Sequence, residues 1–275
     1  MAKQVSKLGD FIGTLDGITY YMLNGVRVCR KATPHTKEQI YNDPRFAEVR
    51  LINNEFGGAS TYAKAIRTGL EPYLNTFKDH SFNGRLTSKC LQITKKGRGV
   101  PGQRNIHVLQ HPEALIGIQL NTKYAFKDLL KFSPNLKQKR KGIYISFSGL
   151  KKEQFVGKPT YASHFVLIAL RNSIQEYSWD PIAKKYTPVT LLPEAGSTCL
   201  TSPPIAISEI PEEIEFFLPF LKNPLHKEDQ TTDASAGTVF KKAHTIWLGI
   251  QFGQRINNRF DPFETGRTMQ CIAVC

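Results

Sequence analysis

Lys137, Lys139, Arg140 and Lys141 put four cations into five residues, with Lys131 before them and Lys151, Lys152 and Lys158 after. Clustered Lys and Arg gain by displacing counterions from phosphate, so such a run between two strands suits backbone contacts that read no sequence. The same run also suits a solvated loop that keeps a protein in solution. Tyr144 and Phe147 follow the cluster. Aromatic rings beside cations stack on bases, although strand alternation sends at least one of these two into a core. A second basic group, Lys95, Lys96, Arg98 and Arg104, surrounds Gly97-Arg98-Gly99-Val100-Pro101-Gly102. Those letters match G-x-G-x-x-G, but the dinucleotide fingerprint needs a preceding strand, a following helix and an acidic residue about 20 positions on. Here a helix is expected before it, Pro101 interrupts it, and residues 119–125 hold no carboxylate. It reads as a basic loop, and the candidate phosphate contacts are Lys95, Lys96, Arg98, Arg104, Lys137, Lys139, Arg140, Lys141, Lys151 and Lys152.

Catalytic patterns are thin. The sequence holds no G-x-S-x-G, no H-E-x-x-H and no complete P-loop; Gly157-Lys158-Pro159-Thr160 lacks the upstream glycine. His107 and His111 have the spacing of two metal ligands on a helix, but the segment reads as a strand ending at Pro112, with only Glu113 nearby. Glu209, Glu212, Glu213 and Glu215 form a proline-punctuated acidic patch and read as exposed surface. Neither an enzyme nor a cofactor or metal site is expected.

The elements that must carry the basic residues fall into two regions. Asp16-Gly17 and Asn24-Gly25 separate three short β-branched and aromatic runs, a strong hairpin signal. Thr36 with Gln39 forms a capping box, and Asp43-Pro44 starts a second helix whose periodic residues run through Phe46, Val49 and Phe56. Gly57-Gly58 and Pro72 are expected to bend or interrupt the helical stretch beyond Phe56. Another helix is expected over Leu86 to Ile93. From about residue 105 the pattern predicts strands, at Ile106 to Leu109, Leu115 to Leu120, Ile143 to Phe147, His164 to Leu170, Ser173 to Trp179, Tyr186 to Leu192, Ile205 to Ile210, Ile214 to Leu221, Val239 to Phe252 and Met269 to Val274. Lys222 to Gly237 reads as a polar surface loop. The expected fold is α+β: an N-terminal β-hairpin and two to three helices, then a mainly antiparallel β-sandwich or barrel. The division expected is 1–104 and 105–275, which can also form one continuous module.

The 275 residues carry 37 Lys and Arg against 23 Asp and Glu, a formal net charge of +14. Residues 1–160 hold 27 against 11, net +16, and residues 161–275 hold 10 against 12, net −2. This asymmetry points to a polyanionic partner for one part of the molecule. It equally suits head-to-tail contact between copies, in which the acidic part of one meets the basic part of the next. No apolar run reaches the roughly 20 residues a membrane helix takes. The five scattered cysteines are unlike a disulfide framework. A soluble, cytoplasmic protein with no disulfide-linked partner is expected.

Gly13-Thr14-Leu15-Asp16-Gly17-Ile18-Thr19-Tyr20-Tyr21, with Gly25 and Arg30-Lys31, then Asn42-Asp43-Pro44-Arg45-Phe46 with Arg50, Asn53, Glu55-Phe56 and Gly57, resemble the opening of an uncharacterised family of bacterial proteins of similar length. Leu248-Gly249-Ile250-Gln251-Phe252, Arg255-Ile256-Asn257 and Cys271-Ile272-Ala273-Val274 are similar to its last strands. The resemblance implies a single module and a bacterial cytoplasmic setting, and supplies no catalytic residues. Within the motif, Arg45 and Arg50 are expected to pair with Glu48 or Glu55; a phosphate-binding face of Arg27, Arg30, Lys31, Arg45 and Arg50 is the sharper alternative. Taken together, the sequence predicts a non-enzymatic basic protein that associates with nucleic acid through phosphate contacts. The alternative is a self-assembling structural or interaction subunit, a phage-like shell or filament component.

Overall fold

A computed structural model describes residues 2–3, 12–23, 25–32, 35–189, 196–220, 243–257 and 259–275. The expected polar loop Lys222 to Gly237 lies outside them. The chain divides into two compact units, Met1–Leu51 and Ile52–Cys275.

In the first unit, β1 (Ala2–Lys3), β2 (Gly13–Leu15), β3 (Ile18–Leu23) and β4 (Val26–Lys31) form an antiparallel sheet in the order β1-β4-β3-β2. Asp16 and Gly17 both adopt positive φ, 48° and 75°, which a two-residue type I′ turn requires. Helix α1 (Lys37–Asn42) starts with the Thr36–Gln39 capping box, both reciprocal bonds in place. Asp43 caps the single 3₁₀ turn Pro44–Phe46. Arg45 pairs with that Asp43 carboxylate at 2.6 Å, and Arg50 donates to the carbonyls of Ile40 and Asp43. These replace the expected pairs with Glu48 or Glu55: the cap carboxylate is nearer and fixed, whereas Glu48 is an exposed side chain that would lose rotamer freedom on pairing.

Helix α2 (Ala47–Phe77) runs on without a break. The expected interruptions fail because packing outweighs propensity. Gly58 is a contact point, where a Cβ would stand 2.5 Å from the Tyr186 ring. Pro72 costs one helical hydrogen bond, about 3 kcal/mol, but Ile66, Leu70, Leu74 and Phe77 around it are all buried. Helix α3 (Phe82–Lys95) buries Phe82, Leu86, Cys90 and Ile93.

The strands of the second unit are β5 (Asn135–Lys139), β6 (Gly142–Ser148), β7 (His164–Ile174), β8 (Tyr177–Asp180), β9 (Lys185–Pro188), β10 (Thr198–Thr201), β11 (Ile205–Ala206), β12 (Glu213–Pro219), β13 (Ala243–Ile256) and β14 (Arg259–Val274), with one short helix, α4 (Phe126–Leu129), before them. They make an antiparallel sheet β10-β7-β13-β14 with β11 also on β7, a three-stranded sheet β12-β6-β5 and the hairpin β8-β9. The fold is α+β, and no sheet among the described residues closes into a barrel. Strands β7 and β13 are buried along almost their whole length, as strands with both faces covered must be. Ile168, Leu170, Trp247, Met269 and Cys271 share a core with α2 and α3. Phe165, Leu167, Ala169, Ile246, Leu248 and Ile250 share another with Ile143, Ile145, Phe147, Ile214, Phe216 and Leu218 of the smaller sheet. The helix-side core draws residues from both sides of position 104.

The strand expected over Ile205 to Ile210 ends at Ala206, and two others are not regular strands. Ile106 makes an isolated bridge to Tyr177 and is followed by a 3₁₀ turn, Val108–Gln110. Leu115 to Leu120 follows another 3₁₀ turn, Pro112–Ala114, and lies irregularly against β14, where the amides of Gly117 and Leu120 reach the carbonyls of Cys271 and Met269. Pro112 starts a turn and Gly117, at φ 84°, reverses the chain, so the apolar residues reach the core without a ladder.

Candidate nucleic-acid interface

The β12-β6-β5 sheet has one dry face and one wet face. Along β6, Ile143, Ile145 and Phe147 are buried, while Tyr144 and Ser146 are partly exposed and Ser148 is open. Register then fixes the outer face row by row. Lys137, Tyr144 and Phe217 lie abreast; so do Asn135, Ser146 and Glu215; Ser148 faces Glu213. Tyr144 and Phe217 meet with ring centroids 4.6 Å apart at 33°. The Lys139 ammonium stands 4.4 Å from the Tyr144 ring centre, on the face where the ring quadrupole attracts a cation. Phe217 is 36% exposed. Arg140 and Lys141 are both exposed and occupy the two-residue turn between β5 and β6.

Among the described residues no carboxylate is within ion-pair distance of Lys137, Lys139, Arg140 or Lys141. The carboxylates of this face, Glu213 and Glu215, sit toward its other end. The face therefore runs from a cationic, aromatic end to an acidic one. The first end attracts anions and the second repels them.

The structure does not bring the ten expected residues together. Lys151 caps and Lys152 begins a 3₁₀ turn past the far end of β6, whose six residue steps span about 20 Å at 3.3 Å each. In the glycine-rich basic loop, two of the four cations are engaged. Lys96 lies 3.7 Å from Glu113, and Arg104 lies 3.4 Å from Glu55. Glu55, only 5% exposed on α2, also accepts the Gly102 amide at 2.8 Å, and the Arg98 amide donates to Asn105 Oδ1 at 2.6 Å. The glycine-rich segment is thus folded back and pinned to a helix through a buried carboxylate. Lys95 and Arg98 remain as its exposed cations without an ion pair among the described residues.

Phe147 is a core residue and Tyr144 is the surface aromatic. Phe217 is absent from the expected contacts, although the period of two through Ile214, Phe216 and Leu218 sends it outward. Burial pushes Cys90 and Cys271 up to about 12, so these two thiols stay protonated at neutral pH. No helix among the described residues is long and apolar enough to cross a membrane. In comparisons with protein-family models, curated proteins and solved structures, the chain matches none.

Proposed function

We propose that the protein associates with nucleic acid through the cationic end of the β12-β6-β5 outer face, with Lys137, Lys139, Arg140 and Lys141 on phosphates and Tyr144 and Phe217 against bases. One observation carries the reading: four exposed cations without carboxylate partners among the described residues lie at the end of the face that carries the partly exposed Tyr144 and the exposed Phe217, with Lys139 over the Tyr144 ring. Cations alone would suit any polyanion, and rings alone would suit any apolar partner; their combination suits a strand with unpaired bases. Lys151, Lys152, Arg104 and Lys96 drop to secondary roles. Lys95 and Arg98 serve as outlying phosphate contacts. The protein acts without catalysis, in a cytoplasmic setting, and the two sheets that share a core are the layers of a partial sandwich. The family resemblance of the N-terminal motif adds no activity to this reading.

Anisotropy of labelled single-stranded and duplex oligonucleotides tests it. Tyr144→Ala should weaken single-strand binding by about 1–3 kcal/mol, the usual worth of one stacked base, and leave duplex binding nearly unchanged. Equal losses on both substrates, or none, would contradict the stacking role.

Self-association is the second reading, supported by the first unit. Ile12, Leu15, Ile18, Met22, Leu23 and Val26 are all exposed on or beside its sheet, and Val28 is the one apolar strand residue there that is buried among the described residues. An apolar display of this kind marks a contact surface. Light scattering of wild type and of Leu15→Lys with Met22→Lys decides it: a large particle that the variant reduces supports assembly, and a monomer in both removes it.

A further inference from the structure

Helix α3 and the segment that lies against β14 border a groove of about 380 Å³, within the range of roughly 300–1,000 Å³ usual for small-molecule sites. Arg85, Ser88 and Lys89 come from α3, and Gly117, Ile118 and Ala125 from the segment after the turn Pro112–Ala114. Steps of three and four residues put Arg85, Ser88 and Lys89 on one side of the helix, beside the buried row Phe82, Leu86, Cys90 and Ile93. Gly117 turns the chain at φ 84°, and a Cβ there would meet nothing within 4 Å, so the turn leaves the groove unfilled.

The guanidinium of Arg85 is held in place. Nε donates to Ser81 Oγ at 3.1 Å, Nη2 reaches the two Asp79 carboxylate oxygens at 3.0 and 2.9 Å, and Nη1 donates to the Gln119 carbonyl at 2.7 Å. Asp79 also accepts from the amides and hydroxyls of Ser81 and Thr122. A guanidinium has five N–H donors, two of them on Nη1, so one Nη1 N–H is left without an acceptor among the described residues. Lys89, four residues on and half-buried, has no hydrogen bond or ion pair among the described residues. The two cations face one carboxylate, that of Asp79, and none of the residues lining the groove is acidic. One positive charge is left over. Like charges four apart on a helix repel, so an anion that meets both gains from each.

We propose that the groove binds a monocarboxylic acid with an apolar body, its carboxylate on the Lys89 ammonium and the spare Arg85 N–H, its body against Gly117, Ile118 and Ala125. Those three residues carry no polar side-chain group, and a compact, fully hydrated phosphate would gain nothing from them. An uncharged apolar molecule would displace water from Lys89 and return no compensating charge. The site stands on other elements than the β12-β6-β5 face and does not rest on nucleic-acid binding there.

Isothermal titration of the full chain with sodium benzoate, benzyl alcohol, sodium acetate and inorganic phosphate, at matched ionic strength in sodium chloride, tests the proposal. Benzoate should bind once per chain and at least about tenfold more tightly than the others, each of which lacks the charge or the body. Lys89→Met keeps most of the stem and drops the charge. It should weaken benzoate at least about tenfold, the loss of one charge-assisted contact, without lowering Tm in chloride, because it also relieves the repulsion from Arg85. Ser88 is exposed on its helix, so Ser88→Phe should fold and should block benzoate by occupying the groove. The variant carrying Gln at Lys137, Lys139, Arg140 and Lys141 should bind benzoate as the wild type does. No saturable benzoate binding by the wild type overturns the site. Benzyl alcohol binding as tightly as benzoate overturns the anionic anchor, and acetate or phosphate doing so overturns the apolar floor. Unchanged benzoate affinity in Lys89→Met would put the ligand elsewhere and overturn the assignment.

Discussion

Replacing Glu55 with alanine tests whether the glycine-rich basic segment is a fixed part of the fold. The carboxylate is 5% exposed, accepts the buried Gly102 amide at 2.8 Å and lies 3.4 Å from Arg104, itself about a quarter exposed. Removing the acceptor leaves a buried amide unpaired, worth about 1–3 kcal/mol. Losing a partly exposed ion pair adds up to about 1 kcal/mol, so Glu55→Ala should cost about 2–3 kcal/mol. Glu55→Gln keeps an acceptor for Gly102 and gives up only the charge, so it should cost about 1 kcal/mol or less. Urea unfolding reads the difference as a lower midpoint at unchanged slope, and amide exchange at Gly102 should quicken in the alanine variant alone. Two variants that unfold together, or an alanine variant within about 0.5 kcal/mol of wild type, would refute the pinned loop.

Other parts of the second unit make their own tests. Burial alone would raise the Asp79 carboxyl, but bonds from Thr122, Arg85 and Ser81 outweigh it and hold the group well below the ordinary carboxylate range. Its contribution is therefore complete above about pH 4 and is lost as pH falls further; Asp79→Asn should cost about 2–3 kcal/mol at pH 7 and leave a smaller acid-dependent loss in urea titrations. Gly69→Ala would drive a Cβ into the Asn172 amide, which is held by the Ile66 carbonyl at 3.0 Å. Thermal melts should show a loss of about 1–3 kcal/mol, and Asn172→Ala in the same chain should recover part of it.

Local chemistry was legible in the sequence where one or two residues decide a conformation. Asp16-Gly17 makes its turn, Thr36 with Gln39 makes its box, and Asp43 with Pro44 starts a helix, because caps and tight turns depend on neighbours in sequence. Tertiary contacts decided the rest. Gly58 looks like a helix breaker until Tyr186 packs on it, and Pro72 sits inside α2 because the surrounding apolar face is worth more than one hydrogen bond. Leu115 to Leu120 has a strand's composition, but it binds β14 through scattered amides after a proline turn. At the candidate site, the cluster from Lys137 to Lys141 could be read directly. Its division from Lys151 and Lys152 required the length of β6, and its pairing with Phe217 required the β6–β12 register. Nothing in His164 to Ile174 marks Arg171 as a buried charge, because the run gives no sign of which partners face it.

The central claim is that four cations at one end of the β12-β6-β5 face contact phosphates, and the salt dependence of single-strand binding measures this most directly. Each phosphate contact on a single strand contributes about −0.7 to the slope of log affinity against log salt, so replacing Lys137, Lys139, Arg140 and Lys141 by Gln should flatten the wild-type slope by about 3. An unchanged slope in the fully folded variant, or wild-type affinity that does not vary with salt, would contradict the account.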